Sequence, residues 1–161
     1  MALEIERKFL VKQPPVWYEQ FPHKEILQWY FNDPTTGKSI RVRKIWEEYK
    51  LTKKKGHGII RDEIEVTISK QEFDDLRRLV ENHFLEKTRY YIPNEGVTIE
   101  LDIYKNLQGL KVAEVEFKTK RDAKKFIKPE RFREDLTMTR EATNAYLANH
   151  GLSEELLWLL W

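Results

Sequence analysis

The sequence predicts an α+β domain that is mainly β, with antiparallel strands and a few short helices outside them. Apolar and polar residues alternate at period two through the first two thirds of the chain. Turn chemistry separates the runs at Asn32-Asp33-Pro34 with Gly37, at Gly56-His57-Gly58, at Pro93-Asn94-Glu95-Gly96 and from Asn106 to Gly109. Helical spacing interrupts the pattern in a few places. A chain of 161 residues is long enough for a core of its own. No repeat, low-complexity segment or linker interrupts it, so residues 1–161 read as one domain whose segment 137–161 is helical.

Taken in order, the strands expected are Leu3 to Val11, Lys24 to Asn32, Lys38 to Trp46 with a continuation to Lys53, Arg61 to Ser69, Leu85 to Ile92, Val97 to Lys105 and Lys111 to Thr119. Ser69 followed by Glu72 is a capping box, and Phe73, Leu76 and Val80 then recur at helical spacing. A second helix begins near Thr139, carries Ala142, Ala145, Tyr146 and Ala148, and stops at Gly151. The tail from Ser153 ends in Leu156-Leu157-Trp158-Leu159-Leu160-Trp161, too short to span a bilayer. Packing on the body of the domain and a subunit contact, as in a homodimer, are both open for it.

Composition removes several functions. Lys and Arg number 29 against 27 Asp and Glu, a net charge of +2, so bulk charge gives little support to polyanion binding. The absence of cysteine excludes a disulfide framework, a zinc-thiolate site and a thiol nucleophile, and fits a reducing compartment. No apolar run approaches a membrane span, and the amino terminus is charged within four residues, unlike a signal peptide. A cytoplasmic chain without membrane contact is expected. The histidines 23, 57, 83 and 150 have no ligand spacing, and no phosphate-binding glycine loop is present. Trp29, Trp46 and Tyr90 stand at strand positions suited to packing, and Lys124-Lys125 reads as a solvated pair.

The polar strand positions are nearly all ionisable. Glu4, Glu6 and Lys8 share a face of the first strand. Arg41 with Arg43, Glu63 with Glu65, Lys87 with Arg89, Glu100 with Asp102, and Glu114 with Glu116 repeat the pattern. A solvated sheet face is the ordinary reading of such alternation. Like charges roughly 7 Å apart on one strand face, however, gain little unless an opposite charge lies between them. Acidic and basic pairs also fall on different strands, so a closed sheet could set carboxylates on one wall and cations on another. Carboxylates bind hard dications and Arg and Lys bind phosphate oxygens, so such a cavity would hold a metal-bound polyphosphate. Phosphoryl transfer there needs positioning, charge neutralisation and an oriented water rather than a nucleophilic side chain.

Glu4-Ile5-Glu6-Arg7-Lys8 is an ExExK motif. Followed in order by Arg41-Val42-Arg43, Lys53, Lys87-Thr88-Arg89 and Glu114-Val115-Glu116, it resembles the CYTH superfamily of triphosphate tunnel metalloenzymes. The resemblance implies an eight-stranded antiparallel closed β-barrel, a tunnel with helices packed outside and a C-terminal helix. It implies Mg²⁺ or Mn²⁺ held by Glu4, Glu6, Glu114 and Glu116, with Asp102 a further ligand or water-orienting group, and phosphate clamps at Lys8, Arg41, Arg43, Lys53, Lys87 and Arg89. Catalytic carboxylates would come from Glu65, Asp102 and Glu116, while Glu63 and Tyr30 match further tunnel positions. Lys54 and Lys55 make the assignment of Lys53 ambiguous. Glu100 fits the alternation but no family position. The segment from Pro129 to Asn149 is a loosened version of the family's carboxy-terminal pattern.

The function expected is metal-dependent hydrolysis of the terminal phosphoanhydride of inorganic triphosphate or a related organic triphosphate. An adenylate cyclase of the same family, making cyclic AMP and pyrophosphate from ATP, is the first alternative, and product identity separates the two. A non-catalytic polyphosphate or nucleic-acid binding module is the second, suggested by an isoelectric point of about 8.6 and by Lys53-Lys54-Lys55. Dense carboxylates argue against it, and nucleic acid is not an expected partner.

Overall fold

The computed structural model describes residues 2–12, 16–31, 38–56 and 58–160. The expected turn at Asn32-Asp33-Pro34 with Gly37, and His57 and Trp161, lie outside the described residues. Strands β1 (Ala2–Val11), β2 (His23–Tyr30), β3 (Lys38–Ile45), β4 (Glu48–Lys55), β5 (Ile60–Thr67), β6 (Phe84–Asn94), β7 (Val97–Tyr104) and β8 (Lys111–Phe117) pair antiparallel in the order β5-β4-β3-β2-β6-β7-β8-β1. β1 also pairs with β5, Ala2 opposite Glu63 and Ile5 opposite Ile60, which closes an eight-stranded barrel. A short β9 (Phe132–Asp135) adds to β1 on the outside of this closure. The expected single run from Lys38 to Lys53 is two strands. Trp46 takes a positive φ of 55° in the tight turn between them and is 64% exposed, so it is not a packing residue.

Helix α1 (Lys70–Arg77) starts at the Ser69 capping box, both of whose hydrogen bonds form, and sets buried Phe73 against Trp29 and Val42 on the outer face of β2 and β3. Helix α2 (Lys120–Lys125) follows the Thr119 cap and buries only Ala123. A second outer cluster joins Phe9, Val115, Phe117 and Phe132 to Ala123. Arg7 faces this side. Its guanidinium donates to the Ala123 and Phe126 carbonyls and to Asp135 at 2.9 Å, fastening α2 and β9 to β1.

The third cluster decides the shape of the interior. Leu10, Tyr30, Leu85, Tyr104 and Val112 lie on the inward parity of their strands, one or two positions beyond the charged residues, and pack against α3 (Asn144–His150) and α4 (Glu154–Leu160). They form an apolar plug in one end of the barrel. Gly151, at φ 72°, ends α3 as expected, and α4 buries Leu156 in the plug while Trp158 stays 80% exposed. Among the described residues no helix is long and apolar enough to cross a membrane.

Candidate active site

Strand pleating fixes which side chains enter the barrel. With Leu3, Ile5 and Phe9 on the outer face of β1, Glu4, Glu6 and Lys8 point inward, and the register brings Glu6 opposite Glu116 and Lys8 opposite Glu114. The resulting cavity, of about 350 Å³, is walled by Glu4, Glu6, Lys8, Arg41, Arg43 and Lys54 with Glu63, Glu65, Arg89, Glu100, Glu114 and Glu116. Tyr30 also lines it, its hydroxyl accepting from Gln28 Nε2 at 3.1 Å. A strap running from Leu136 to Thr143, between β9 and α3, roofs the plugged end. Leu136 N–H donates to the Lys8 carbonyl at 2.8 Å, Lys8 N–H to Thr137 Oγ1 at 3.0 Å, and Lys8 Nζ to the Ala142 carbonyl at 3.3 Å.

Cations and carboxylates are interleaved. Lys54 Nζ stands 2.8 Å from Glu4 Oε2, and Lys8 Nζ 3.3 Å from Glu114 Oε1. Arg89 reaches Glu100 and, at 3.6 Å, Glu114; Arg43 approaches Glu65 at 3.8 Å. Thr52 Oγ1 donates to the same Glu65 at 2.9 Å. Beneath the wall, Asp102 is fully buried, with Lys87 Nζ and Arg89 Nε both at 2.7 Å and Arg89 Nη2 at 2.9 Å. Burial alone would raise the Asp102 pKa, but Arg89 and Lys87 hold it below the usual value.

The pairing is incomplete on both sides. Burial and the facing Glu114 push the Glu6 carboxyl up to about 7, and burial with Glu4, Glu100 and Glu63 nearby raises Glu116. On the opposite wall, Arg41, burial and Arg89 lower the Arg43 guanidinium to about 10. Each wall therefore carries like charges that a counter-ion would relieve. Glu4 Oε2 and Glu114 Oε1 are buried, and the ammonium groups beside them lie off the angle of a hydrogen bond, so neither oxygen accepts one.

A family model for the CYTH domain matches residues 2–148. The chain belongs to the CYTH family. It is 36% identical over 153 residues to an inorganic triphosphatase of Nitrosomonas europaea, covering 90% of this chain and 96% of that protein. The crystal structure of an inorganic triphosphatase superposes with a TM-score of 0.69 at 32% identity, over 95% of this chain and 99% of that one. A Bacillus halodurans protein described as a candidate adenylate cyclase shares the fold, with a TM-score of 0.62 at 21% identity over 77% of this chain and 86% of that one.

Set in this CYTH barrel, most of the expected residues converge: Glu4, Glu6, Lys8, Tyr30, Arg41, Arg43, Glu63, Glu65, Arg89, Glu114 and Glu116 all line the one cavity. Three expectations are corrected. Lys53 is on the outer, exposed face of β4, and its neighbour Lys54 takes the inward position. Tyr49 and Leu51, which share the parity of Lys53 and pack with the Phe73 cluster, carried the signal. Lys87 and Asp102 lie behind the wall rather than on it, because each satisfies the other. Glu100, left without a role, lines the cavity. Sequence reasoning also missed Arg61, which shares the inward parity of Glu63 and Glu65, and Lys38, Ser39 and the strap residues, which no charge pattern marks. Among the described residues no histidine lines the cavity.

The residues fit a hard dication. The donors are carboxylate oxygens, Glu6 is buried against Glu4 and Glu114, and two buried carboxylate oxygens lack a hydrogen bond. Among the described residues no three carboxylates converge into a ready-made cage. Mg²⁺ is commonly held by one or two carboxylates together with substrate phosphates, which such a wall provides.

Proposed function

We propose that the protein is a divalent-metal-dependent triphosphatase that hydrolyses the terminal phosphoanhydride of inorganic triphosphate, or of a related organic triphosphate, inside the barrel. The observation that carries this reading is a single cavity with crowded cations facing crowded carboxylates, in a chain 36% identical to an inorganic triphosphatase. Arg41, Arg43, Lys54, Lys8 and Arg89 hold the phosphate chain, the arginines in bidentate fashion, and neutralise its charge. Glu4, Glu6, Glu114 and Glu116 hold Mg²⁺ or Mn²⁺. When bound, the metal neutralises phosphate oxygens and makes the terminal phosphorus a better electrophile.

Water attacks that phosphorus in line, the bridging P–O bond breaks toward the remaining diphosphate, and the water's proton passes to a carboxylate. Glu116 and Glu65 face the cavity and are the acceptors. Asp102 is not, since Lys87 and Arg89 occupy both its oxygens; it orients Arg89. The test incubates the protein with triphosphate or ATP, with and without Mg²⁺ or Mn²⁺, and resolves the products. Metal-dependent orthophosphate that Glu116→Gln abolishes, with binding retained, is expected. Cyclic AMP with pyrophosphate, or a Glu116→Gln enzyme of near wild-type activity, would overturn the assignment.

A further inference from the structure

One fully buried polar side chain of the barrel has no part in the chemistry described above. Gln28 lies on the inward parity of β2, with Tyr30 next to it on the same face. The register with β3 sets Gln28 opposite Arg43 and Tyr30 opposite Arg41. Among the described residues the amide makes one hydrogen bond, from Nε2 to the Tyr30 hydroxyl at 3.1 Å, and its Oε1 is buried with no partner. Leaving a buried acceptor unsatisfied costs stability, and an apolar side chain of the same shape would avoid that cost. A compensating role therefore lies with its one partner, Tyr30.

Tyr30 stands where plug and chamber meet. Its ring packs in the plug with Leu10, Leu85 and Tyr104, and the residue lines the cavity. Packing holds the ring, Gln28 Nε2 takes one side of the hydroxyl oxygen, and Arg41 takes the other. Arg41 differs from the four other cations assigned to the phosphate chain. Lys54, Lys8 and Arg43 stand 2.8, 3.3 and 3.8 Å from a carboxylate, and Arg89 pairs with Glu100, Asp102 and Glu114. Arg41, itself buried, makes no ion pair among the described residues, and its Nε is buried without a hydrogen bond. Burial works against its charge, and the Tyr30 oxygen, in hydrogen-bond contact with the guanidinium, offsets this together with Glu4.

Resting on the triphosphatase reading above, we infer that Gln28 is a positioning residue, which through the Tyr30 hydroxyl aims the Arg41 guanidinium at the phosphate chain. Arg41 is then a docking point formed before substrate binds. The neutral hydroxyl orients it without neutralising it, whereas a carboxylate in the same place would compete with phosphate for the same N–H groups. Lys8, Arg43, Lys54 and Arg89 each exchange a carboxylate for phosphate; Arg41 has none to give up.

The experiment is a double-mutant cycle on kcat/KM for inorganic triphosphate. Gln28→Met keeps the length of the side chain but cannot donate, and Tyr30→Phe lacks the hydroxyl. Misplacing a binding group by about 1 Å costs up to roughly 10²-fold, so Gln28→Met should lower kcat/KM about 10-fold to 100-fold. In the Tyr30→Phe background the same change should cost less than about twofold, because the amide has nothing left to hold. Urea denaturation of the metal-free Gln28→Met protein should give a midpoint no lower than that of the wild type, since the unsatisfied oxygen is gone. Gln28→Leu is the second variant, with the same expectations. A full effect in the Tyr30→Phe background, no effect in the wild-type background, or a loss of activity matched by a lowered urea midpoint in both variants overturns the positioning role alone. A wild type without metal-dependent triphosphate hydrolysis overturns the hydrolase reading and this role with it.

Discussion

Asp102→Asn removes one charge from a site where two cations, Lys87 and Arg89, depend on it. Asp102 is fully buried, Lys87 has no other ion-pair partner within 4 Å among the described residues, and Arg89 keeps Glu100 and Glu114 after the change. The Lys87 share of the loss has a ceiling. Burial, offset in part by Asp102, sets the ammonium at about 8, so at pH 7 it can escape by losing its proton at a cost of about 1.4 kcal/mol. Arg89 cannot escape. Two charge-assisted hydrogen bonds become neutral ones, adding on the order of 2 kcal/mol. The sum, roughly 3–4 kcal/mol, falls in the range for breaking one side of a buried pair and corresponds to a Tm lower by about 6–16 °C.

The pH dependence has a definite sign. The attraction between Lys87 and Asp102 exists below the Lys87 pKa and is gone above it, so the cost of the substitution should shrink by about 1.4 kcal/mol between pH 7 and pH 9.5. Urea denaturation of the metal-free protein at both values measures it. A metal ligand in the same place would behave in the opposite way, since its removal would relieve repulsion from Glu114 and leave the metal-free protein as stable or more so. A loss below about 1 kcal/mol at pH 7 would refute the counter-ion role.

Lys54→Ala should lower kcat/KM for triphosphate on the order of 10²-fold, as expected when one positioned charge is lost from a dry phosphoryl-transfer site, and Lys53→Ala should leave it near wild type; steady-state kinetics on the pair decide between the two faces of β4. Burial works against the Asp135 carboxylate, but hydrogen bonds from Thr137 and Arg7 hold its pKa below the usual value. Its stabilisation is therefore fully present above the ordinary carboxylate pKa and lost as pH falls through the folded value. Asp135→Asn should lower the urea midpoint at pH 7, and the gap to wild type should narrow as pH falls below the ordinary carboxylate pKa.

Much of this site was legible because a pleated strand converts parity into position. Glu4, Glu6, Arg41, Arg43, Glu114 and Glu116 needed only alternation with apolar neighbours to be assigned a common face. Parity failed where the break between strands was hidden. The turn at Trp46 and Glu47 has no glycine or proline, Trp46 itself supplying the positive φ, and the strand after it was read as a continuation, which left Lys53 and Lys54 ambiguous. Asp102 shows a second limit: its strand position is inward as read, but Arg89 directly opposite it and Lys87 two residues further along the register decide whether an inward carboxylate faces solvent or salt bridge. Helix α2 went unseen because Lys-Arg-Asp-Ala-Lys-Lys has one buried residue and no apolar period. The strap was read in part as the start of a helix near Thr139; Leu136 and Ala142 pin it to the plug and hydrogen bonds tie it to Lys8, but no helical period runs through it.

The closure of the barrel at β1 has a consequence for how the chain matures. During synthesis β1 finds its partner β5 early, Ile5 meeting Ile60, but its seam with β8 joins Ile5 to Phe117 and Leu10 to Val112, which are made roughly a hundred residues later, and contacts so distant along the chain form slowly. Until then the sheet has two open edges. Beyond the apolar plug its inner face at that stage is charged, and clustered like charges disfavour the joining of an unpaired edge to another chain. The like charges that line the finished cavity are therefore on the sheet face while its edges are still open, where they disfavour pairing with another chain.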